Sequence, residues 1–361
     1  MSTDHAVTSL GVSKTTLIRR LKGGKSRQEG RETFQLLTPQ EEKALADWIS
    51  NATAAGNPIN QQYIKELADE MRRSHVDHSD VQEQFLRPIG ITWVPAFLKH
   101  HPHLQTKLLR SIEQARISDV TREQVIKFNE DFRHLIHEKK VKLENIYNSD
   151  ETGIKALFCI LIIGSSIGTC QGTNVVVDTS VKHAYAAQPG RQEWVTVIEC
   201  ISASGSKIPP YVIFKGEHLV STWLPATPPP GWTFAINSKG WTNDFHGIHW
   251  IKHFNTHTKP LLTSPEDYLV LLCDGHGSHI SAAFISYSLQ NRIDIILLPP
   301  HSSHLLQPLD VAIFGPLKSA LANRQSRLFR SGIRRIEKIA WLEHFMEARE
   351  EAIHEKNILA G

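Results

Sequence analysis

The chain has 361 residues, of which 40% are hydrophobic and 21% charged. That composition excludes bulk disorder and a fibrous fold, and the length allows two or three domains. The 40 Lys+Arg against 37 Asp+Glu leave a net charge of +3, too small by itself to mark a nucleic-acid binder. Four scattered cysteines without a CxxC pair argue for a reducing compartment and against a disulfide scaffold or a thiolate zinc site. The N-terminus lacks a secretory pattern. No residue from Ala156 to Val177 is charged, but glycines and polar residues fill the second half, so the expectation is a soluble chain without a membrane span.

The segment AVTSLGVSKTTLIRRLKGGKSR (residues 6–27) reads as a helix-turn-helix. Gly11 supplies the turn and Ser13 the cap of the second helix. Val12, Leu17 and Leu21 face a core, and Lys14, Thr15, Arg19 and Arg20 face outward. Residues 1–35 hold seven Lys/Arg against three Asp/Glu, the footprint of a helix entering a major groove with a basic tail on phosphates; a solvated amphipathic helix would look similar.

A second helical unit follows. Thr38-Pro-Gln-Glu41 forms a capping box that opens a helix carrying Leu45, Trp48 and Ile49. Gly56-Asn-Pro58 ends it. Ile64, Leu67, Ala68 and Met71 mark the next helix by their spacing, and residues 74–90 read as a loop. Thr92 is expected to cap a third helix, with Trp93, Val94, Phe97 and Leu98 inward. The tryptophans are expected in the core rather than as stacking platforms. Two helical units in tandem, each ending in basic residues, suggest bipartite recognition of a duplex.

Beyond an amphipathic helical linker (121–140) the pattern changes. Ile146-Tyr147 reads as a short strand running into Asn-Ser-Asp150. Trp194–Ile201 and Ile208–Phe214 read as a hairpin closed by residues 202–206. Residues 243–258 are helical. Tyr268–Cys273 is a continuous apolar run suited to a parallel strand buried on both faces. A helix with Ile280, Ala283, Phe284 and Tyr287 on one face, a strand at Ile293–Leu298 and a helix from about Pro308 complete a mixed sheet covered by helices.

Three aspartates end these elements: Asp150 after the first strand, Asp274 after the fourth and Asp310 in the first turn of the last helix. A lone aspartate there is usually a turn or cap residue. Three on neighbouring strand ends repel one another unless a multivalent cation neutralises them. Hard oxygen ligands select Mg²⁺ or Mn²⁺, and two such ions suit phosphodiester chemistry. The rival arrangement is a zinc site built from His276, His279, His301 and His304. Its HxxH pairs lie on loops and lack an adjacent glutamate base.

The motifs DETG, QPGRQEWVTVIECISASG, PPYVIFKG, DGHGSH and LPPHSSHLLQPLDVAIFGPLK resemble the DDE endonuclease domain of pogo/Tigger-like transposases of the mariner superfamily, in their fungal branch. The stretches SLGVSKTTLIRRLKGGKS, LTPQEEKALADWI and TWVPAFLKHHPHL resemble the pipsqueak-type and CENP-B-type DNA-binding units that precede that domain. The resemblance spans residues 5–330. It implies a ribonuclease-H-like fold, Asp150, Asp274 and Asp310 as catalytic metal ligands, and two Mg²⁺ or Mn²⁺ ions. Thirty-five residues separate the last two acids, within the family's range. Departures from the family pattern are a start inside the first helix-turn-helix, Ser149 where methionine is usual, a poorly fitting 156–174 segment that reads as an insertion, decay or retained intron, and an early C-terminus.

The expected organisation is therefore multi-domain, all-α helix-turn-helix units followed by an α/β ribonuclease-H-like domain with a mixed sheet. Its parts are a truncated pipsqueak-type unit (1–28), a CENP-B-type unit (31–105), a helical linker (106–143), the endonuclease (144–330) and a helical tail (331–361). DNA contacts are expected from Ser13, Lys14, Thr15, Arg19, Arg20, Lys22, Lys25, Arg27, Lys99, His100, Lys107 and Arg110. The expected function is a nuclear transposase that recognises terminal inverted repeats in double-stranded DNA and cleaves and joins DNA, with a homodimer among its expected assemblies and no membrane partner. The rival is a transposase-derived DNA-binding protein without catalysis.

Overall fold

The computed structural model describes residues 13–15, 18, 36–54, 59–74, 88–107, 122–159, 191–275, 281–330 and 336–361. Three helices come first: α1 (Pro39–Ala54), α2 (Gln61–Arg73) and α3 (Trp93–His100). The capping box opens α1 as its residue types dictate. The Glu41 amide donates to Thr38 Oγ1 at 3.2 Å, and the Thr38 amide donates to Glu41 Oε2 at 2.8 Å, so two orphan donors are met reciprocally. Asn60 caps α2 by accepting from the Tyr63 amide at 2.8 Å. Thr92 precedes α3 but makes no side-chain cap, because its own backbone is already helical and cannot turn the hydroxyl onto the first amides. The buried faces are Leu45, Trp48 and Ile49 of α1, Ile64, Leu67, Ala68 and Met71 of α2, and Val94 and Phe97 of α3. Trp93 is half-buried and stacks on Phe97.

Helix α4 (Arg122–Glu138) leads into the sheet: β1 (Ile146–Cys159), β2 (Arg191–Ser202), β3 (Tyr211–Lys215), β4 (Thr233–Asn237), β5 (Leu269–Cys273) and β6 (Ile293–Leu297). The strand order is β4-β3-β2-β1-β5-β6. β1, β2 and β3 are antiparallel neighbours, while β5 and β6 run parallel to β1. This is the ribonuclease-H-like arrangement, with β4 added parallel at the β3 edge. The hairpin between β2 and β3 turns at Gly205, whose φ of 91° favours glycine. Two sequence expectations change. β1 does not stop after Tyr147 but continues through Asp150 to Cys159, because the β2 ladder supports it long after β5 has ended at Asn148. β4 is a strand that sequence reading passed over; its five residues are all half-buried, so it carries no continuous apolar run.

Helices cover both faces. α5 (Asp244–Thr258) and α6 (Ala282–Gln290) lie on one, with Trp250, Phe254 and Phe284 against Tyr147, Ile198 and Leu271. The helical unit α1–α3 joins this same apolar core. Helix α2 packs on α6, and Gln290 Nε2 donates to the Met71 carbonyl at 3.4 Å and to Ser74 Oγ. After β6 comes the short helix α7 (Ser303–Leu306). The other face is covered by α8 (Phe314–Arg330), α9 (Lys338–Ala352) and α4. Trp341, Leu342, Phe345 and Ala348 of α9 are fully buried against Val195, Val212 and Phe214. In space the residues after 336 are thus part of the sheet's core, because this face would otherwise expose its apolar side chains to water. Helix α8 is accordingly followed by α9 and by α10 (Glu355–Ile358) rather than ending the fold.

One buried ion pair fixes α9. Arg349 donates to both Glu199 oxygens (Nε to Oε1 2.8 Å, Nη2 to Oε2 2.9 Å) and to the Ile208 carbonyl at 2.8 Å. Their side chains are 4% and 0% exposed. Removing one partner strands the other charge in the core. Arg349→Ala is expected to destabilise the chain by about 3–5 kcal/mol in urea unfolding, whereas Arg324→Ala, whose acidic partners Glu347 and Glu351 are exposed, is expected to cost at most about 1 kcal/mol.

Candidate active site and DNA-binding surface

Asp150, Asp274 and Asp310 converge from three elements. Asp150 lies within β1, just beyond the point where β5 stops pairing with it. Asp274 directly follows β5, and Asp310 lies in a five-residue π turn, Leu309–Ile313, that precedes α8. Such wide turns are characteristic of functional positions in helices. Asp150 is 8% exposed, Asp274 half-buried and Asp310 exposed.

The electrostatics record their proximity. Burial, then the charges of Asp310 and Asp274, push the Asp150 carboxyl up to about 7; hydrogen bonds from the Glu151 amide, at 2.8 Å, and from Gln307 only partly oppose this. Asp310 is raised by burial and by Asp274, against a lowering by Lys318. A carboxyl so placed is held partly protonated near neutrality for want of a countercharge. Among the described residues, which include all three aspartates, no group of three or more His, Cys, Asp or Glu side chains is placed to hold a metal ion. The acids are an open, mutually repelling set.

Other polar groups surround Asp150. Glu199 stands opposite it in the β1/β2 register and so on the same face, with its charge taken up by Arg349. On the opposite face Ser149 is fully buried and its hydroxyl has no hydrogen-bond partner among the described residues. Asn148 and Gln307 form a buried amide pair beneath the acids. Sequence reading singled out none of Glu199, Arg349, Asn148 or Gln307; the only available signal was that Asn148 and Gln307 sit two and three residues before an acid.

His276 and His279 lie outside the described residues, and His301 and His304 are exposed. Of the expected DNA contacts, Ser13, Lys14 and Thr15 are exposed, with Lys14 and Thr15 helical, and Lys99, His100 and Lys107 are exposed on and just after α3. Arg19, Arg20, Lys22, Lys25, Arg27 and Arg110 lie outside the described residues, as does most of 156–174. His100 Nδ1 lies 3.1 Å from the buried Glu42 carboxylate, tying the end of α3 back to α1. Among the described residues no helix is long and apolar enough to cross a membrane.

Residues 191–361 match the family described as DDE superfamily endonuclease, and residues 38–108 match the Tc5 transposase DNA-binding domain. A Cochliobolus lunatus protein named MFS-type transporter clz9 is 28% identical over 352 residues, 97% of this chain and 32% of the relative. A Mus musculus protein named Pogo transposable element with KRAB domain is 21% identical over 297 residues, 81% of this chain and 44% of the relative. The chain thus spans less than half the length of these relatives. The solved mariner Mos1 paired end complex with Mg aligns over 84% of this chain and 79% of that one, at 14% identity and a TM-score of 0.37, a slight likeness. In both matched segments and in its pogo relatives, this chain is similar to DDE transposases and their DNA-binding domains.

The raised Asp150 carboxyl has a thermodynamic consequence. Its folded-state value of about 7 exceeds the unfolded 3.8, so its contribution to stability is complete below pH ~4 and is lost as pH rises through 7. Asp150→Asn keeps the acceptor for the Glu151 amide and removes the charge. In metal-free buffer it is expected to match wild type in thermal unfolding below pH ~4, to pull ahead as the pH rises from there to 7, and to exceed it at pH 8 by on the order of 4 kcal/mol.

Proposed function

We propose that this transposase-type chain binds the terminal inverted repeats of a transposable element through its N-terminal helical units and cuts and joins DNA at Asp150, Asp274 and Asp310. The observation that carries the reading is the approach of three carboxylates, in which, beyond burial, Asp310 and Asp274 raise Asp150 and Asp274 raises Asp310. The donor set fits hard divalent ions: oxygen ligands, no thiolate, and a buried carboxyl lacking a countercharge. Asp150, Asp274 and Asp310 would hold two Mg²⁺ or Mn²⁺ ions. Such ions, when bound, activate an attacking oxygen and stabilise the leaving one.

The chain's own groups do the placing. Asp150 lies on β1, Asp274 follows the adjacent parallel strand β5, and Asp310 lies in the π turn, near enough for its charge to raise Asp150. The sequence motifs offer no serine, cysteine or tyrosine to attack phosphorus, so the side chains orient and neutralise rather than react. Joining needs two DNA ends held together, which favours a pair of chains as the working unit. Chromosomal DNA as substrate makes the nucleus the place of action. The rival reading, a DNA-binding protein without catalysis, draws on the 156–174 segment beside the catalytic strand.

Two measurements test the proposal. Duplex binding by the full chain is expected to fall steeply between about 50 and 200 mM salt, because Lys and Arg contacts to phosphates release counterions; a flat response overturns the assigned surface. Asp310→Asn is expected to retain binding to the element's ends and to lose Mn²⁺-dependent cleavage by roughly 10³-fold or more. Equal cleavage by both proteins rejects the three-aspartate mechanism, and binding without cleavage by wild type establishes the rival.

A further inference from the structure

A closed set of buried hydrogen bonds lies directly beneath the three acids. Asn148 precedes Asp150 by two residues on β1 and so shares its face. Its Nδ2 donates to Gln307 Oε1 at 2.5 Å and to the Leu272 carbonyl at 3.1 Å. Its Oδ1 accepts from the Leu309 amide at 3.2 Å. Gln307 in turn donates through Nε2 to the Ser149 carbonyl at 3.2 Å. Asn148 is 6% exposed and Gln307 0%, and neither is left with an orphaned polar atom among the described residues.

The partners are the backbone positions from which the acids project. Leu272 stands two residues before Asp274, Leu309 immediately before Asp310 and Ser149 immediately before Asp150. Two amide side chains therefore bond all three acid-bearing segments to one another. Sheet hydrogen bonds join β1 to β5 only up to Asn148, and no strand pairing reaches the π turn. We infer that Asn148 and Gln307 act as a clasp, positioning residues that hold Asp150, Asp274 and Asp310 together against their mutual repulsion.

The physical case is a balance of forces. Three carboxylates in a partly desolvated site push apart, and the π turn bearing Asp310 lies outside the strand ladder, with Asp310 and Val311 exposed between the buried Leu309 and Ile313. Buried, fully satisfied amide networks are stiff, because each broken bond leaves a desolvated donor or acceptor. Loss of the clasp lets Asp310 drift away without unfolding the sheet, whose cores on either face do not depend on it.

The inference rests on the reading of these acids as the metal-holding set, so the test separates the two. In the full chain, affinity for Mn²⁺ alone is measured for wild type, Asp310→Asn, Gln307→Ala and Gln307→Met, beside thermal unfolding and duplex binding. Methionine is close to glutamine in size, and serves if the alanine variant does not fold. With Mn²⁺ bound by wild type and lost in Asp310→Asn, the folded Gln307 variants are expected to bind Mn²⁺ about tenfold more weakly or worse, with duplex binding unchanged. Affinity equal to wild type overturns the clasp. If wild type binds no Mn²⁺, the acid reading fails by itself, and hydrogen exchange decides the clasp. Exchange of the Leu309 amide, which donates to Asn148 Oδ1, is then expected to be at least about tenfold faster in the folded Gln307→Met variant than in wild type. Unchanged exchange overturns the clasp.

Discussion

Like charges gathered on one face of a sheet are the constraint around which the rest of this molecule is arranged. Beyond burial, Asp310 and Asp274 raise Asp150 and Asp274 raises Asp310, and Glu199 stands beside Asp150 on the next strand. A low-dielectric layer tolerates such a set only if each charge is paired, protonated or shared with a cation. The fold answers differently at each position. Glu199 is neutralised by a bidentate arginine brought from α9, whereas Asp150 accepts from the Glu151 amide and its carboxyl is pushed up to about 7. The contrast separates a carboxylate held in a structural ion pair from one held near neutrality.

That division also explains why the C-terminal helix belongs to the core. Helix α9 contributes both apolar cover, through Trp341 and Phe345, and the arginine that silences Glu199. Without it, four acids would share one face. The opposite face is closed by α5, α6 and the helical unit α1–α3 in a single apolar core, so that unit is anchored to the sheet through α2 and α6.

Much of this was legible in the residues. The capping box at Thr38–Glu41, the spacing of Ile64, Leu67, Ala68 and Met71, and the unbroken apolar run of β5 each encode their element locally, and the structure forms them as the local chemistry requires. Less legible were β4, whose residues are uniformly half-buried, and the length of β1, which the β2 ladder prolongs through Asp150, Glu151 and Thr152 despite their polarity. Thr92 carried a capping residue's side chain without a capping residue's backbone.

By itself, the sequence determined the kinds of element, the strands that would be buried on both faces and the identity of three acids near strand ends, because periodicity, caps and apolar runs act over a few neighbouring residues. Only the tertiary structure decided which groups face one another. Arg349 meets Glu199, and Asn148 meets Gln307, across about 150 residues of chain, and neither pair leaves a local pattern. The acids themselves were visible as candidates; that they repel, and that a buried amide pair holds them together, follows from strand pairing and the packing of a π turn, which are settled by contacts between distant segments and not by any one of them.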